Sequence, residues 1–221
     1  MNNIKISILI SAYNVENYIE ECLHSLKCQT LKEIEVIIVD DGSTDKTGEI
    51  AEMYAHSDRR FRVVHQSNKG LTQSRNIGLS LAQGKYVGFV DGDDYVSKDA
   101  FEQLFLRAEA YSADIVLGSV LYTYEDGTFQ RVGNKSVAFQ SHSGTMEGKQ
   151  CFKLLIKTGC YIPMVWSNLY RLDFIQQNQL HFEATFHEDE YFMPYALFFA
   201  KKVIDINIDF YFYRQRQGSI M

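Results

Sequence analysis

Tyr86-Val87-Gly88-Phe89-Val90-Asp91-Gly92-Asp93-Asp94-Tyr95-Val96 is the stretch whose reading decides the fold. Its first five residues form an apolar run without polar alternation, as expected of a strand buried on both faces of a parallel sheet. The run ends directly in three carboxylates, Asp91, Asp93 and Asp94, and Gly92 lets the chain turn sharply there. In open α/β sheets ligands bind beyond the carboxyl ends of the strands, so acids at such an end mark a candidate site. Three acids on one turn repel one another unless a cation or a basic partner holds them. Mg²⁺ and Mn²⁺ favour carboxylate oxygens, and Mg²⁺ commonly takes one or two carboxylates plus substrate phosphates. The other reading of the same turn is a solvated acidic loop in which Asp94 or Ser97 caps the next helix.

Outward from this stretch the same pattern recurs. Ile4–Ile10 reads as a first strand, followed by the loop Ser11-Ala12-Tyr13-Asn14 and a helix with Ile19, Cys22, Leu23 and Leu26 on one face. Ile34–Val39 is a second strand that enters Asp40-Asp41-Gly42-Ser43-Thr44-Asp45, where Thr44 or Asp45 can cap a helix starting near Lys46. Phe61–His65 is a third strand, Gln66–Gly70 a loop, and a helix then runs through Leu81. After the acid turn comes a helix with Phe101, Leu104, Phe105 and Ala108 on one face, then a strand at Ile115–Tyr122. Strands alternating with helices at this spacing predict a mostly parallel, Rossmann-like sheet flanked by helices, with polar residues at successive strand ends.

The C-terminal third is less regular. Glu125–Thr145 reads as a hairpin or a loop, Lys149–Lys157 as a helix, and Met164–Arg171 carries the single tryptophan. His187-Glu188-Asp189-Glu190 precedes a helix with Phe192, Tyr195, Ala196 and Phe199 assigned to one face. Two β-like runs, Val203–Ile208 and Phe210–Tyr213, lead into Arg214-Gln215-Arg216.

Composition narrows the function classes. The chain has 221 residues, enough for one large domain with a sizeable core, and a net charge of −6 that disfavours nucleic acid as a partner. The four cysteines, Cys22, Cys28, Cys151 and Cys160, lack zinc-site spacing and read as free thiols. The start has no signal-peptide pattern, and no run approaches the roughly 18 apolar residues of a membrane span. A cytoplasmic protein is expected, with attachment to the inner face of the membrane and an oligomeric state left open. The first turn lacks Gly-x-Gly-x-x-Gly, which argues against a dinucleotide enzyme.

Four segments in this order, Ser-Ala-Tyr-Asn (11–14), Val-Asp-Asp-Gly-Ser-Thr-Asp (39–45), Asn-Lys-Gly-Leu-Thr-Gln-Ser-Arg-Asn-Ile-Gly-Leu (68–79) and Asp-Gly-Asp-Asp (91–94), resemble a family 2 glycosyltransferase of the GT-A fold. The resemblance runs from Ile4 to about Ser97 and resumes more loosely at Trp166–Arg171, Glu188-Asp189 and the tail. It implies one GT-A domain over 1–221, with a nucleotide-binding half at 1–97 and an acceptor-side half at 98–221. Family members often continue past the position of Met221. The implied activity is inverting, metal-dependent transfer of a hexose or N-acetylhexosamine from a UDP-sugar to a glycan acceptor: lipid-linked, polysaccharide or protein-attached.

By the same resemblance Tyr13 packs on the nucleobase with Ser11 close by, although many members have proline at that place. Asp41 accepts the uracil imide N–H, and Asp40 sits nearer the sheet. Lys69 and Arg75 are implied as cations near the ribose or diphosphate, and Arg214 and Arg216 as a tail closing over the diphosphate. Asp93 is implied as the direct ligand of Mn²⁺ or Mg²⁺, Asp91 as a contact to the ribose or a metal-bound water, and Asp94 as a supporting group. Trp166 resembles a residue of the acceptor side. Asp189 is implied as the general base, and Glu188 as a group that orients the acceptor or a neighbouring side chain. Two rival readings are a catalytically silent nucleotide-sugar-binding or scaffold module and a sugar-nucleotidyltransferase. The second needs a Gly-rich basic loop after the first strand, and Ser11–Val15 is not one.

Overall fold

The computed structural model describes residues 4–124, 126–132, 144–183 and 187–216. Its sheet runs β3-β2-β1-β4-β8-β6-β9-β5, with β7 paired outside that path on β6. The strands are β1 (Ile6–Ala12), β2 (Ile34–Asp40), β3 (Phe61–His65), β4 (Tyr86–Asp91), β5 (Tyr95–Val96), β6 (Ile115–Thr123), β7 (Phe129–Val132), β8 (Asn168–Arg171) and β9 (Val203–Arg214). The helices are α1 (Ile19–Lys27), α2 (Thr47–Ser57), α3 (Leu71–Leu81), α4 (Ala100–Tyr111), α5 (Gly148–Lys157), α6 (Leu172–Gln177) and α7 (Glu188–Phe199). Among the described residues no helix is long and apolar enough to cross a membrane.

The first half follows the sequence pattern closely. β1 is buried along nearly its whole length because it lies between β2 and β4, both parallel to it. The register sets Ser11 opposite Val39 on one side and Asp91 on the other, and Ala12 opposite Asp40. The polar ends of three strands therefore line up. The sheet order also reverses at β1, since β2 and β3 extend to one side and β4 to the other. That reversal opens a crevice at the carboxyl edge. On α1 the buried residues are Ile19, Cys22, Leu23 and Leu26, as the periodicity requires.

The second half departs from the pattern in three ways. β6 does not neighbour β4: the four-residue β8 inserts between them, antiparallel to both. Alternation of strands and helices reveals elements but not neighbours, and so short a strand leaves no crossover signature. The two β-like runs after Val203 form one strand, β9, parallel to β6 with register shifts around Ser119. Part of the stretch read as a hairpin or loop is a hairpin, β6 with β7, where Thr123 faces Phe129; residues 125 and 133–143 of that stretch lie outside the described ones.

The third departure concerns α7. Phe192 and Ala196 are buried with Met193 and Leu197, whereas Tyr195 and Phe199 are 48% and 40% exposed. The sequence Tyr-Phe-Met-Pro-Tyr-Ala-Leu-Phe-Phe has no polar residue from which its inward face could be read. What decides is the close joint with α5. A Cβ on Gly148 would stand 1.9 Å from the carbonyl oxygen of Leu197, and the Gly148 N–H donates to the Ala200 carbonyl at 2.9 Å. Gly148→Ala is expected to cost roughly 1–3 kcal/mol of stability through overpacking. The check is a urea titration, which should show a lower midpoint with an unchanged m-value.

Candidate active site

At the carboxyl edge, a cavity of about 390 Å³ is walled by Ser11 and Tyr13 after β1, Asp41 after β2, Asp91 and Asp93 at the acid turn, and Tyr213 and Arg216 from the C-terminal strand and tail. This is the size range of small-molecule sites. A wider depression of about 940 Å³ runs along α2 between Glu52 and His65. His65 there bonds Asp40 at 2.8 Å and Glu52 at 3.0 Å through its two ring nitrogens, and neither Asp91 nor Asp93 contributes to the wall. The smaller cavity is the one that collects the strand-end chemistry.

Tyr13 keeps 48% of its surface open and is free to receive a flat ring. Asp41 is buried and takes three donors: the Gln66 side chain at 2.6 Å, the Lys69 N–H at 2.7 Å and the Gly70 N–H at 2.8 Å. Gly70 precedes α3 with φ +87°, a conformation glycine reaches without strain. One carboxylate thus shapes the loop that opens α3. The Lys69 side chain is exposed, and the residue meets the site through its backbone rather than as the expected cation.

Arg75, expected as a cation near the ribose or the diphosphate, is engaged by carboxylates. It is 3% exposed, and its guanidinium bridges Asp91 at 3.1 Å to both Glu188 and Asp189 at the start of α7. The ring of Phe182 lies against it, 5.4 Å from centroid to guanidinium carbon. Glu188 and Asp189, though adjacent, converge on the same nitrogen. The left-handed His187, φ +75°, starts the helix so that both acids reach inward. Asp189 does not cap α7: besides Arg75 it accepts the Val165 N–H at 3.3 Å. Burial pushes the Asp189 carboxyl up to about 6, against the opposing pull of Arg75 and with help from Glu188. Burial likewise raises Asp91, with Arg75 opposing.

The acid turn is held from the C-terminal strand. Tyr211 Oη donates to Asp94 Oδ2 at 2.7 Å and accepts the Asp91 N–H at 3.0 Å, while the Arg214 N–H donates to Asp94 Oδ1 at 2.8 Å. The expectation that Asp94 joins the other acids around a cation meets this geometry: it is 1% exposed with both oxygens taken, so it anchors β9 instead. Burial, then Asp93 and Asp91, raise its carboxyl well above the usual range. The turn expected to let Asp94 or Ser97 cap α4 does neither with a side chain, and Asp99 occupies the cap position. Asp93 faces the cavity, and its Oδ2 accepts Arg216 Nε at 2.9 Å and Nη2 at 2.7 Å. Arg214 reaches the Asp93 carbonyl at 2.9 Å and Glu21, and both arginines lie over the ring of Tyr18, at 5.1 Å for Arg214 and 5.2 Å for Arg216. Trp166 is buried, stacked on Tyr211 at 4.3 Å and on Tyr213 at 5.0 Å. It backs the cavity wall through Tyr213 and is not itself part of it.

Sequence reasoning missed Tyr211, Tyr213, Gln66 and Tyr18. Gln66 had been placed in a strand-end loop, a signal that could have raised it. The three tyrosines read as ordinary strand or helix aromatics.

The sheet is mixed rather than mostly parallel as expected, parallel over β3-β2-β1-β4 and antiparallel wherever β8 pairs. With acids at its switch point, an aromatic beside the first strand and basic residues from the tail, it has the GT-A fold. The family model described as Glycosyl transferase family 2 matches residues 7–168, and the chain belongs to that family. It is 40% identical over 217 residues to the glycosyltransferase EpsJ of Bacillus subtilis, covering 97% of this chain and 62% of EpsJ. To the glycosyltransferase GlyG of Streptococcus pneumoniae it is 35% identical over 226 residues, 98% of this chain and 72% of GlyG. Among solved structures, Staphylococcus aureus TarS 1-349 in complex with UDP-GlcNAc superposes with a TM-score of 0.81 at 27% identity, over 97% of this chain and 60% of that one. The chain thus spans under two thirds of the length of EpsJ and of that TarS structure.

Arg75 yields a stability prediction. Arg75→Ala leaves Asp91, Glu188 and Asp189 without their shared countercharge, and breaking a buried ion pair this way costs about 3–5 kcal/mol at neutral pH. A carboxyl held above its unfolded value destabilises when ionised, and the cost fades as pH falls below its folded value, about 6 for Asp189. Urea unfolding of wild type and variant should therefore show a deficit that shrinks between about pH 7 and pH 5. A pH-independent deficit would mean that lost packing, not charge, is responsible.

Proposed function

We propose that the chain transfers a hexose or N-acetylhexosamine from a UDP-sugar to a glycan acceptor, with inversion and with the help of a divalent cation. The observation that carries this reading is the placing of two unlike carboxylates about one guanidinium. Asp91, one residue short of the turn that presents Asp93 to the cavity, and Asp189, a half-buried carboxylate raised to about 6, are joined through Arg75. A general base works best near the operating pH, and Asp189 lies there. It comes from α7, a different part of the chain from the donor-side acids, as an attack from the face opposite the leaving diphosphate requires. Residues 1–97 then serve the donor, and 98–221 supply the acceptor side and a tail that returns to the diphosphate.

In this reading uracil lies on Tyr13 near Ser11, and Asp41 accepts its imide N–H while still holding Lys69 and Gly70. TarS, 27% identical, is described in complex with UDP-GlcNAc, which supports UDP as the nucleotide. Arg216, a planar fork now on Asp93, suits a diphosphate equally well, with Arg214 beside it. Arg75 holds Asp189 in place, and Glu188 shares that guanidinium and faces the acceptor end.

A Mg²⁺ or Mn²⁺ ion fits the donors present, though not as a three-carboxylate cage: among the described residues no such group converges. Asp93 Oδ1 takes no hydrogen bond among the described residues, and a hard cation needs only one or two carboxylates when diphosphate oxygens complete its shell. Asp93 would hold it, with Asp91 on the same wall and Asp94 excluded by its own bonds. When bound, the cation neutralises charge developing on the leaving diphosphate. The acceptor is a lipid-linked, polysaccharide or protein-attached glycan, and the setting is the cytoplasm.

Two experiments test the two ends. In calorimetry with UDP, Mn²⁺ should tighten binding to wild type, and Asp93→Ala should lose that enhancement; an undiminished enhancement would remove Asp93 as the ligand. A hydrolysis screen over a panel of nucleotide sugars selects the donor for the second. With it, transfer by Asp189→Asn should fall roughly 10²–10⁴-fold while UDP affinity stays unchanged. Since the base acts only when ionised, wild-type kcat/KM should rise with pH through about 6. Near-normal transfer by Asp189→Asn rules the residue out as base.

A further inference from the structure

The paired helices α5 and α7 carry a surface that the cavity does not use. On α7, Tyr191, Tyr195 and Phe198 recur at i, i+4 and i+7 and share one face. Tyr195 and Phe198 are 48% and 54% exposed, and Phe199 beside them 40%. Tyr191 stacks on Tyr195 with centroids 4.7 Å apart, and Phe198 meets Phe199 edge-on at 5.1 Å. On α5, Lys149, Lys153 and Ile156 recur at i, i+4 and i+7, with Ile156 55% exposed. The two stripes adjoin, because Lys149 Nζ lies 4.1 Å from the centroid of the Phe198 ring.

Charge separates this face from the rest of the molecule. Lys149, Lys153 and Lys157 on α5 are all exposed. Among the described residues the lysines in ion pairs are Lys5 and Lys85, neither of them on these helices. The exposed acids at the helix ends are Glu147 and Glu190. In a chain of net charge −6, an unpaired lysine group beside open aromatic rings is a local reversal of sign. Solvation accounts for lysines on a surface but not for a contiguous set of open rings.

We infer that this face docks on an anionic lipid surface. Aromatic rings enter the boundary between headgroups and acyl chains, while lysines extend along them to the headgroup phosphates. Lys149 over Phe198 is that arrangement in miniature, an apolar ring with a cation at its edge. Tyr191 is two residues beyond Asp189, so the docked face starts beside the proposed acceptor end and suits an acceptor held at the membrane. That link to the acceptor rests on the transferase reading, whereas the docking does not.

The test is co-sedimentation of this chain with vesicles of phosphatidylcholine alone and of phosphatidylcholine containing phosphatidylglycerol. The chain should pellet with the anionic vesicles only, and less so as salt is raised. Lys149→Glu combined with Lys153→Glu should weaken binding by at least about tenfold, since each lysine near an anionic surface contributes several-fold. Phe198→Ser combined with Phe199→Ser should do likewise, with circular dichroism and melting unchanged. Should the aromatic variant unfold, the charge reversal alone decides. Equal pelleting with both vesicle types, no pelleting, or variants that bind like wild type would overturn the inference. So would a vesicle-free dimer that either variant abolishes, because the face would then belong to a second copy. Each of these readouts is independent of sugar transfer, so a failed transferase assay leaves the docking result standing.

Discussion

The fold of this chain depends on the burial of one guanidinium. Arg75 sits in the interior with Asp91 from the central sheet on one side and Glu188 and Asp189 from the start of a C-terminal helix on the other. Removing a charge from water is costly, and the cost is met only when partners and geometry are both present. Here three acids supply more negative charge than one arginine cancels. Burial raises the carboxyls of Asp91 and Asp189, and the neighbouring acids add to it. An ion group of this composition binds elements distant in sequence and at the same time leaves a carboxylate tuned near neutrality. Structural cohesion and proton affinity come from one arrangement.

A second tie, between the acid turn and β9, explains why two neighbouring acids differ so much in character. Asp93 is open to the cavity and pairs with Arg216, whereas Asp94 is closed by Tyr211 and the Arg214 backbone. The turn that Gly92 permits sends these carboxylates in opposite directions. One faces the cavity, and the other fixes the strand that carries Arg214 and Arg216 into place. Trp166, stacked on Tyr211 and Tyr213, stiffens the same strand from behind.

The N-terminal half was legible because its determinants are local. Ile6, Ile8 and Ile10 announce a buried strand, Gly92 a turn, and Ile19, Cys22, Leu23 and Leu26 a helix face, each within a few residues. The strand-end acids were legible too, since parallel strands deliver their last residues to one edge. What stayed hidden were pairings across the chain. Nothing near Tyr211 signals that its hydroxyl meets Asp94, and nothing near Arg75 distinguishes a phosphate ligand from a carboxylate bridge. β8 was too short to announce its place between β4 and β6. The orientation of α7 was misread because apolar residues surround the helix, and the contact that settles it belongs to Gly148 on another helix.

The tie between Asp94 and Tyr211 spans 117 residues, and that separation bears on how the protein is made. At a synthesis rate of roughly 5–20 residues per second, the acid turn leaves the ribosome several seconds before the strand that neutralises its burial. During that interval Asp91, Asp93 and Asp94 have neither Tyr211 nor the two tail arginines, and their mutual repulsion keeps the turn in water. The sheet β3-β2-β1-β4 can assemble early from parallel neighbours, but its carboxyl edge stays open until β9 arrives. Closure of that edge therefore waits for β9, whatever the rest of the sheet has already done.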